Sequence, residues 1–317
     1  MVCRICANAE NNRTFRIREM MFGFREEFNY SECSACGCLQ IAEIPQDMSK
    51  YYPSDYHPWR HQTTGHQIER FAAIQRDKYA VFQTGLLGRL LYWRYPNSFL
   101  QVLGQAKPDR NSSILDVGCG SGRFLYSLWE LGFRNLVGID PYIQADFAAP
   151  SVKILKKTIV ELPDSERFHF IFSNHSLEHM WDQEGALSKA RNLLNPGGVC
   201  VVRMPVKTET IWNLYGTDWM QIDAPRHFCV HTLGSFKHLC QKVGFAITDI
   251  LFDSDERQFW VSEQYRRDIP LEAADSYYVN PRKSVFTDEQ IEKFRIRAKE
   301  LNRIEQGDQA AFFMKAK

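Results

Sequence analysis

The sequence has no apolar run long enough to cross a membrane and no strong excess of charge of either sign. A membrane-spanning helix needs about 20 consecutive apolar residues, and no run of that length occurs. The 39 lysines and arginines nearly balance the 38 aspartates and glutamates, which gives a formal net charge of +1. A nucleic-acid backbone is normally bound by a basic surface. Because the charges balance, we do not expect a nucleic acid as the partner. No secretory leader is recognisable, so we expect a cytoplasmic protein without a membrane span.

The most informative segment runs from Ile114 to Gly122 and reads ILDVGCGSG. An apolar stretch typical of a β-strand ends in three alternate glycines, and a helical pattern follows. Glycine lets the backbone approach a ligand without a clash at Cβ. A second apolar stretch ends in Asp140, twenty-two residues after Gly118, and a carboxylate in that place can accept hydrogen bonds from ribose hydroxyls. The pattern predicts a nucleoside site in an α/β fold.

The glycine spacing argues against a dinucleotide. That motif needs a third glycine at the place of Arg123, and it holds a pyrophosphate at a helix N-terminus. Asp116 lies just before the glycine turn. A carboxylate there suits an ammonium group better than a phosphate.

These residues resemble the first motif and the following acidic position of class I S-adenosylmethionine (SAM) methyltransferases. The resemblance implies that SAM is the cofactor and that it is held by Asp116, Gly118, Gly120, Gly122 and Asp140. In many members an aspartate five residues before a proline contacts the adenine, and Thr158 holds that place before Pro163. Thr158 and Ile159 are therefore the candidates for adenine contact. Asn174, at the end of the fourth strand, is expected to border the cofactor.

Two C-x-x-C motifs lie near the start, at Cys3 and Cys6 and at Cys33 and Cys36, with twenty-six residues between them. Four thiolates at such spacing form a closed tetrahedral zinc site. Two pairs favour a metal over a redox role, and nine cysteines in all suit a reducing compartment. Because the protein fills all four positions, we predict a structural zinc that stabilises a small domain. Cys38 is a spare thiol that could compete with Cys36.

Strand and helix patterns alternate through the rest of the chain. Strands are predicted at 151–155, 168–173, 198–204 and 245–252, helices at 68–91, 184–194, 233–243 and 287–302, and an antiparallel seventh strand at 309–315. Such alternation gives a mainly parallel sheet with helices on both faces. We predict an α/β fold, a doubly wound seven-stranded SAM-methyltransferase sheet with a small N-terminal zinc ribbon.

We expect three regions along the chain. The zinc-binding ribbon would cover 1–46, a helical linker or lid 47–112, and the SAM-dependent methyltransferase domain 113–317, with substrate-side inserts at 206–231 and 254–306. The first insert carries Trp212, Tyr215 and Trp219. These aromatic side chains are expected either to stack on a sugar ring or to join the core.

The segment from Tyr30 to Ile41, with the sequence YYPSDY at 51–56, resembles the N-terminal zinc domain and linker of bacterial sugar methyltransferases. That group includes deoxysugar C-methyltransferases, which act on nucleotide-linked ketosugars and carry a further C-terminal domain that has no counterpart after the candidate seventh strand. The resemblance implies methyl transfer from SAM to a hydroxyl of a nucleotide-linked or glycan-linked sugar in surface polysaccharide biosynthesis. The implied partner is a small-molecule sugar or sugar nucleotide.

Methyl transfer to a hydroxyl needs alignment of the reactants and an acceptor for the hydroxyl proton. Histidine suits that task near neutral pH. His227 lies between the fifth strand and the next helix, and the C-methyltransferases have a catalytic histidine in a related segment. His179 follows the fourth strand at the same rim of the sheet. We predict both as catalytic, with helix capping as the alternative for His227 and packing or capping as the alternative for His179.

Other functions stay open at the level of the sequence. One is C-methylation of a nucleotide-linked ketosugar. Another is an RNA methyltransferase, since zinc ribbons also precede SAM domains that modify ribosomal RNA. The last is a SAM-binding protein without turnover. The sequence does not indicate an oligomeric state.

Overall fold

The computed structural model describes residues 1–52 and 67–317. The part of the predicted linker at 53–66, with most of the YYPSDY segment, lies outside the described residues. In chain order the strands are β1 (Arg13–Arg18), β2 (Glu27–Glu32), β3 (Leu39–Ile41), β4 (Ser113–Val117), β5 (Asn135–Ile139), β6 (Phe147–Ala149), β7 (Val152–Leu155), β8 (Phe168–Asn174), β9 (Leu194–Pro205), β10 (Cys229–Val230), β11 (Phe245–Phe252) and β12 (Gln309–Ala316). The helices are α1 (Gln67–Phe82), α2 (Leu86–Arg94), α3 (Ser98–Gln105), α4 (Arg123–Glu130), α5 (Gln183–Leu193), α6 (Glu209–Tyr215), α7 (Leu233–Lys242), α8 (Arg257–Arg266) and α9 (Asp288–Arg303).

The larger sheet has the strand order β11-β12-β9-β8-β4-β5-β7-β6. The central strands β9, β8, β4, β5 and β7 pair in parallel. β12 lies antiparallel between β9 and β11, as predicted for the seventh strand. The predicted α/β methyltransferase fold is therefore confirmed. The additional eighth strand, β6, is a three-residue edge strand folded back on β7, too short for an alternating pattern to predict it.

Helices cover both faces of this sheet because its strands bury side chains alternately on either side. Ile114 and Phe313 belong to a core cluster with α1, α3 and α4, whereas their neighbours Leu115 and Phe312 belong to a cluster with α5 and α7. The ring of Phe312 packs 4.6 Å from that of Phe236 on α7. The carboxyl ends of the parallel strands therefore remain for ligand binding.

The apolar stretch predicted as one helix at 68–91 forms two helices, α1 and α2. The chain turns between them through Gln83 at φ +56° and Gly85 at φ +94°. Gly88 then brings α2 against α1, where a Cβ would lie 2.3 Å from the carbonyl oxygen of Gln75. Helical periodicity continues across the break, which is why the sequence pattern missed it.

The smaller sheet has the order β1-β2-β3-β10. Its fourth strand comes from the insert predicted at 206–231, so the ribbon sheet is completed by a segment that follows the methyltransferase strand β9. Tyr215 and Trp219 of the same insert are 4% and 1% exposed and pack with Tyr30 of β2 in one core cluster. Those two aromatic side chains belong to the core and offer no platform for a sugar. The predicted domain boundaries stay predictions.

None of the described helices combines the length and apolar character that a membrane crossing requires.

Candidate functional site

The glycine turn joins β4 to α4 at the carboxyl edge of the sheet. Gly118, Gly120 and Gly122 have φ of +76°, +50° and +77°, the left-handed region that glycine adopts without strain. A Cβ on Gly118 would lie 2.4 Å from Ser176 Cβ, and one on Gly122 would lie 2.1 Å from Ile154 Cδ1. A Cβ on Gly120 would meet no described atom within 4 Å. The outer glycines let the turn pack closely, while the middle one borders open space that a ligand can enter.

Asp140, at the end of β5, is tied to the same turn. Its Oδ2 accepts a hydrogen bond from the Gly120 N–H at 3.0 Å, and its Oδ1 accepts one from the Tyr142 N–H at 2.8 Å. Each carboxylate oxygen retains capacity for a second hydrogen bond. The carboxylate is thus fixed in orientation beside the open space at Gly120, as the binding of two ribose hydroxyls requires.

Asp116 is a buried carboxyl at the end of β4, 4% exposed. Burial, and in second place the negative charge of Asp140, raise its pKa to about 7. No ion pair involves Asp116 within residues 1–52 and 67–317. A ligand cation would remove much of this electrostatic penalty, and the ammonium group of SAM is such a cation. The residues at the turn therefore fit an adenosyl amino acid.

The remaining predicted cofactor residues also lie at this edge. The N–H and hydroxyl of Thr158 donate to the Glu161 carboxylate at 2.7 and 2.6 Å, which caps a short helical turn. Ile159 is buried in the core. The Oδ1 of Asn174 accepts a hydrogen bond from Arg203 Nη1 at 3.0 Å. Their side chains thus already have partners, and cofactor contact at these three positions stays a prediction.

A second group of side chains follows β8, next to the glycine turn. The Ser176 hydroxyl donates to the Val117 carbonyl at 2.7 Å, which holds the 175–179 segment against the turn. Glu178, 1% exposed, lies 3.2 Å from His175 Nδ1 through its Oε1. Burial alone would raise the pKa of Glu178, but the hydrogen bond from His175 and the nearby His227 and His179 lower it to about 2. A charged carboxylate is therefore held beside the turn.

The structure brings His179 and His227 together, with ring centroids 4.7 Å apart. His227 Nδ1 is 2.7 Å from the Gln221 carbonyl oxygen, and His179 Nδ1 is 2.9 Å from the Arg226 carbonyl oxygen. Because a carbonyl only accepts, each Nδ1–H is the donor in its contact. Desolvation, followed by the effect of His227, lowers the pKa of His179 to about 4, so this ring is neutral at pH 7. Thr232, rather than His227, caps α7.

Behind the two histidines lies an ion-paired network. Arg226 is fully buried, and its Nε and Nη2 both donate to the Asp223 carboxylate. Desolvation raises the pKa of Asp223, but Arg226 more than compensates, and the net result is a pKa of about 2. Asp223 Oδ2 also lies 3.7 Å from His227 Nε2. The fully buried Glu19 lies 3.8 Å from Arg226 Nη1.

The ribbon sheet fixes the position of His227. The Tyr30 hydroxyl on β2 donates to the His227 carbonyl at 2.9 Å, in a fully buried contact. The Phe228 carbonyl accepts from Ile41 N–H at 3.1 Å and from Arg4 Nη2 at 2.7 Å, while the Phe228 N–H donates to the Glu178 carbonyl at 2.7 Å. The N-terminal domain therefore contributes directly to the geometry of the candidate active site.

Tyr52, at the end of the first described stretch, links the two halves of the site. Its hydroxyl lies 3.2 Å from His179 Nδ1. Its ring stacks on that of Tyr142, with centroids 6.0 Å apart, and Tyr142 is the residue whose N–H binds Asp140. The candidate cofactor site and the histidine pair are thus neighbours.

The four predicted metal ligands also come together. Within the described chain, the thiols of Cys3, Cys6, Cys33 and Cys36 all lie within 4.8 Å of one another. Sγ distances are 3.7 Å for Cys3 to Cys36 and 3.5 Å for Cys6 to Cys33, close to the roughly 3.8 Å edge of a zinc–thiolate tetrahedron with 2.3 Å bonds. Gly37, at φ +73°, donates its N–H to the Cys33 carbonyl in a knuckle turn. The donor set fits zinc.

Sequence reasoning missed Glu178, Asp223, Tyr30 and Tyr52. Glu178 directly precedes His179, which was predicted as catalytic. The adjacent Glu and His could therefore have indicated that Glu178 belongs to the site. Tyr30 and Tyr52 lie far along the chain from the histidines that they contact, and no local pattern indicates such contacts. Asp223 lies only four residues before His227.

Comparison with known proteins agrees with the methyltransferase class that the fold and the glycine turn indicate. Residues 89–250, which make up half of the chain, match the model of a methyltransferase domain family. The chain therefore belongs to this family of methyltransferases, and the predicted class of SAM-dependent enzyme is confirmed.

Two curated relatives are named tRNA U34 carboxymethyltransferase. The protein of Ruthia magnifica subsp. Calyptogena magnifica is 25% identical over 155 residues, which are 44% of this chain and 49% of the relative. That of Shewanella sediminis is 32% identical over 120 residues, 35% of this chain and 36% of the relative. The chain thus spans half the length of these relatives or less.

Solved structures with a similar fold include the cyclopropane synthase MmaA2 from Mycobacterium tuberculosis, at 17% identity and a TM-score of 0.44, covering 68% of this chain and 82% of that one. A SAM-dependent methyltransferase from Mesorhizobium loti is 18% identical with a TM-score of 0.44, covering 69% of this chain and 97% of that one.

The curated relatives contradict two predictions. A sugar substrate in surface polysaccharide biosynthesis is wrong, since the relatives are named for tRNA. The prediction that nucleic acid is an unlikely partner is wrong for the same reason. Net charge sums over the whole chain, so it cannot report a basic surface that acidic residues elsewhere balance.

Proposed function

We propose that the protein is a SAM-dependent methyltransferase that modifies RNA, with tRNA as the acceptor class. The observation that carries this proposal is the similarity of the chain, over 155 and 120 residues, to two proteins named tRNA U34 carboxymethyltransferase. A cytoplasmic location would follow from that substrate.

The helical segment at 67–112 supports the proposal. It carries seven lysines and arginines against three acidic residues, so basic charge is concentrated here although the whole chain is balanced. Arg89 and Arg94 are exposed beside the ring of Trp93, which is 83% exposed, and that of Tyr95, which is 56% exposed. Arginines with exposed aromatic rings form the kind of surface on which unpaired bases stack and phosphates bind.

The residues of the site support the transfer step. SAM, when bound, supplies a methyl group that its sulfonium already activates. Asp140 and the glycine turn would hold the adenosyl group, and Asp116 the ammonium group, so that the acceptor needs only alignment. The Nε2 lone pair of His227 or His179 would accept the acceptor's proton, since each ring already donates its Nδ1–H to a carbonyl.

The N-terminal cysteines would hold a structural zinc. Cys3, Cys6, Cys33 and Cys36 fill the coordination shell and leave no open position. The zinc would thereby stabilise β2 and β3, which position His227.

Transfer of labelled methyl groups tests the function. We expect the protein with labelled SAM to label tRNA from a cell extract, in a product that ribonuclease destroys. The double variant Arg89→Glu, Arg94→Glu should weaken tRNA binding by at least about tenfold at moderate salt, because it reverses two phosphate-binding charges.

Lys237→Glu, Lys299→Glu makes the same charge change at exposed positions on α7 and α9, and should leave tRNA binding near wild type. Label that resists ribonuclease, or equal effects of the two double variants, would refute the RNA proposal.

A further inference from the structure

We infer that Glu178, His179 and His227 bind a divalent transition-metal ion beside the glycine turn. The inference extends the proposed function at the same site. Its role in catalysis rests on that function, but the binding of the ion does not. One ligand atom from each of the three residues lies within 4.8 Å of the other two in the described chain, so small movements of the side chains would bring all three onto one ion with bonds of about 2.1 Å.

The two imidazole rings are prepared as metal ligands. In protein metal sites, a ligating histidine binds through one nitrogen and donates its other N–H to a carbonyl or carboxylate, which fixes the ring. His179 and His227 both donate Nδ1–H to backbone carbonyls, at 2.9 and 2.7 Å. A histidine ring held in this way binds an ion through its Nε2.

Glu178 supplies an independent indication. Its Oε1 contacts His175, but its Oε2 is buried and has no hydrogen-bond partner among the residues that the structure describes. A buried oxygen of a charged carboxylate without a partner is rare and costly. A metal ion bound to Oε2 would complete its interactions.

The charges around the cluster also favour a cation. Asp223 and Glu19 both lie against one described guanidinium, that of Arg226. Among the described residues the ion-pair partner of the buried Glu178 is His175, which carries a charge only when protonated. A divalent ion would balance the remaining negative charge.

Two imidazoles and one carboxylate form a donor set for Zn²⁺, Mn²⁺ or Fe²⁺, and three protein ligands leave positions open for another oxygen. An acceptor hydroxyl bound there would lose its proton to solvent more readily, because the ion lowers its pKa. The oxygen would then form a bond to the methyl carbon, while the carbon–sulfur bond breaks and its electron pair stays on sulfur as a thioether. The ion would then activate the acceptor hydroxyl. Without the ion, a histidine would do so by accepting the hydroxyl proton.

Manganese titration of the full-length protein tests the inference, because Mn²⁺ prefers nitrogen and oxygen ligands to the thiolates of the ribbon. We expect electron paramagnetic resonance to count about one bound Mn²⁺ per chain, with couplings to imidazole nitrogen. Glu178→Gln keeps the side-chain shape and should weaken binding at least about tenfold. His238→Ala removes an exposed histidine on α7 and should leave binding unchanged.

Absence of Mn²⁺ binding by the wild type, or equal affinity in Glu178→Gln, would overturn the inference and leave the histidines as proton acceptors. If Glu178→Gln does not fold, His179→Gln provides the same comparison, with unchanged affinity again counting against the metal site. The titration uses no RNA, so failure of the RNA proposal would leave its result intact. Methyl transfer to tRNA at an undiminished rate by metal-free protein would refute the ion's role in catalysis and leave the test of ion binding to the titration.

Discussion

We predict that cofactor binding depends on pH because of Asp116. Its pKa is raised from 3.8 to about 7 by burial and by Asp140. The ammonium group of the cofactor needs the ionised carboxylate, so binding must displace a proton from any molecule in which Asp116 is protonated. Affinity should therefore fall as the pH decreases through 7.

The size of the effect follows from this pKa. With a pKa of 7 in the free protein, the ionised fraction at pH 5.5 is about 3%, against about 76% at pH 7.5. The dissociation constant for S-adenosylhomocysteine, whose ammonium group stays protonated in this range, should be about 25-fold higher at pH 5.5 than at pH 7.5. His179, with a pKa of about 4, stays neutral throughout and does not add to the slope.

In the ligand-free protein Asp116 should affect stability in the opposite direction. Because folding raises its pKa, its contribution to stability is fully present below about pH 4 and is lost as the pH rises through 7. A shift from 3.8 to about 7 corresponds to a loss of up to about 4 kcal/mol. Asp116→Asn removes the ionisation and should unfold at a higher temperature than the wild type at pH 7.5.

Isothermal titration calorimetry over this pH range gives the comparison. Asp116→Asn should bind weakly and with little pH dependence. Asp164→Asn is the matched control, since the exposed Asp164 pairs with Lys189, which lowers its pKa, and it should keep the wild-type slope. A flat profile in the wild type, or an unchanged slope in Asp116→Asn, would show that Asp116 does not face the ammonium group.

Three further changes probe the rest of the site. Asp140→Ala should abolish detectable SAM binding by calorimetry, because it removes both the candidate ribose acceptor and the partner of the Gly120 N–H; wild-type affinity would contradict the assignment. Cys33→Ser should release zinc, measured by mass spectrometry of the metal, and lower the melting temperature, whereas full zinc occupancy would exclude Cys33 as a ligand. Tyr30→Phe leaves the His227 carbonyl without its hydroxyl donor and should cost roughly 1–3 kcal/mol in chemical denaturation; an unchanged unfolding free energy would argue against that hydrogen bond.

The resemblance to sugar methyltransferases predicted some properties of this protein correctly and others wrongly. The glycine turn with Asp140 led to the correct enzyme class, because a close approach to a ligand restricts the residue types within a short segment. The ribbon and linker led to the wrong substrate. In this structure Tyr30 of the ribbon supports the loop that carries His227. Similarity in the ribbon therefore indicates a similar support for that loop, and it does not identify the acceptor.

Charge patterning was similarly limited. The balance of charges over the whole chain is correct as a count, but it averages the basic helices at 67–112 with acidic residues elsewhere. Trp93 and Arg94 are exposed together on α2, and their exposure could be known only after folding.

The sequence by itself determined the parts of this protein that depend on neighbouring residues: the parallel strands, the glycine turn before α4, Asp140 after β5 and the two pairs of cysteines. Backbone conformation and strand burial follow from short-range sterics and periodicity, so a linear pattern records them. Only the tertiary structure decided that β10 completes the ribbon sheet, that Tyr30 reaches His227, and that Glu178, His179 and His227 converge with one carboxylate oxygen unpaired. These contacts join residues 48 to 197 positions apart, and at such separations packing of the whole chain, rather than any local preference, brings side chains together.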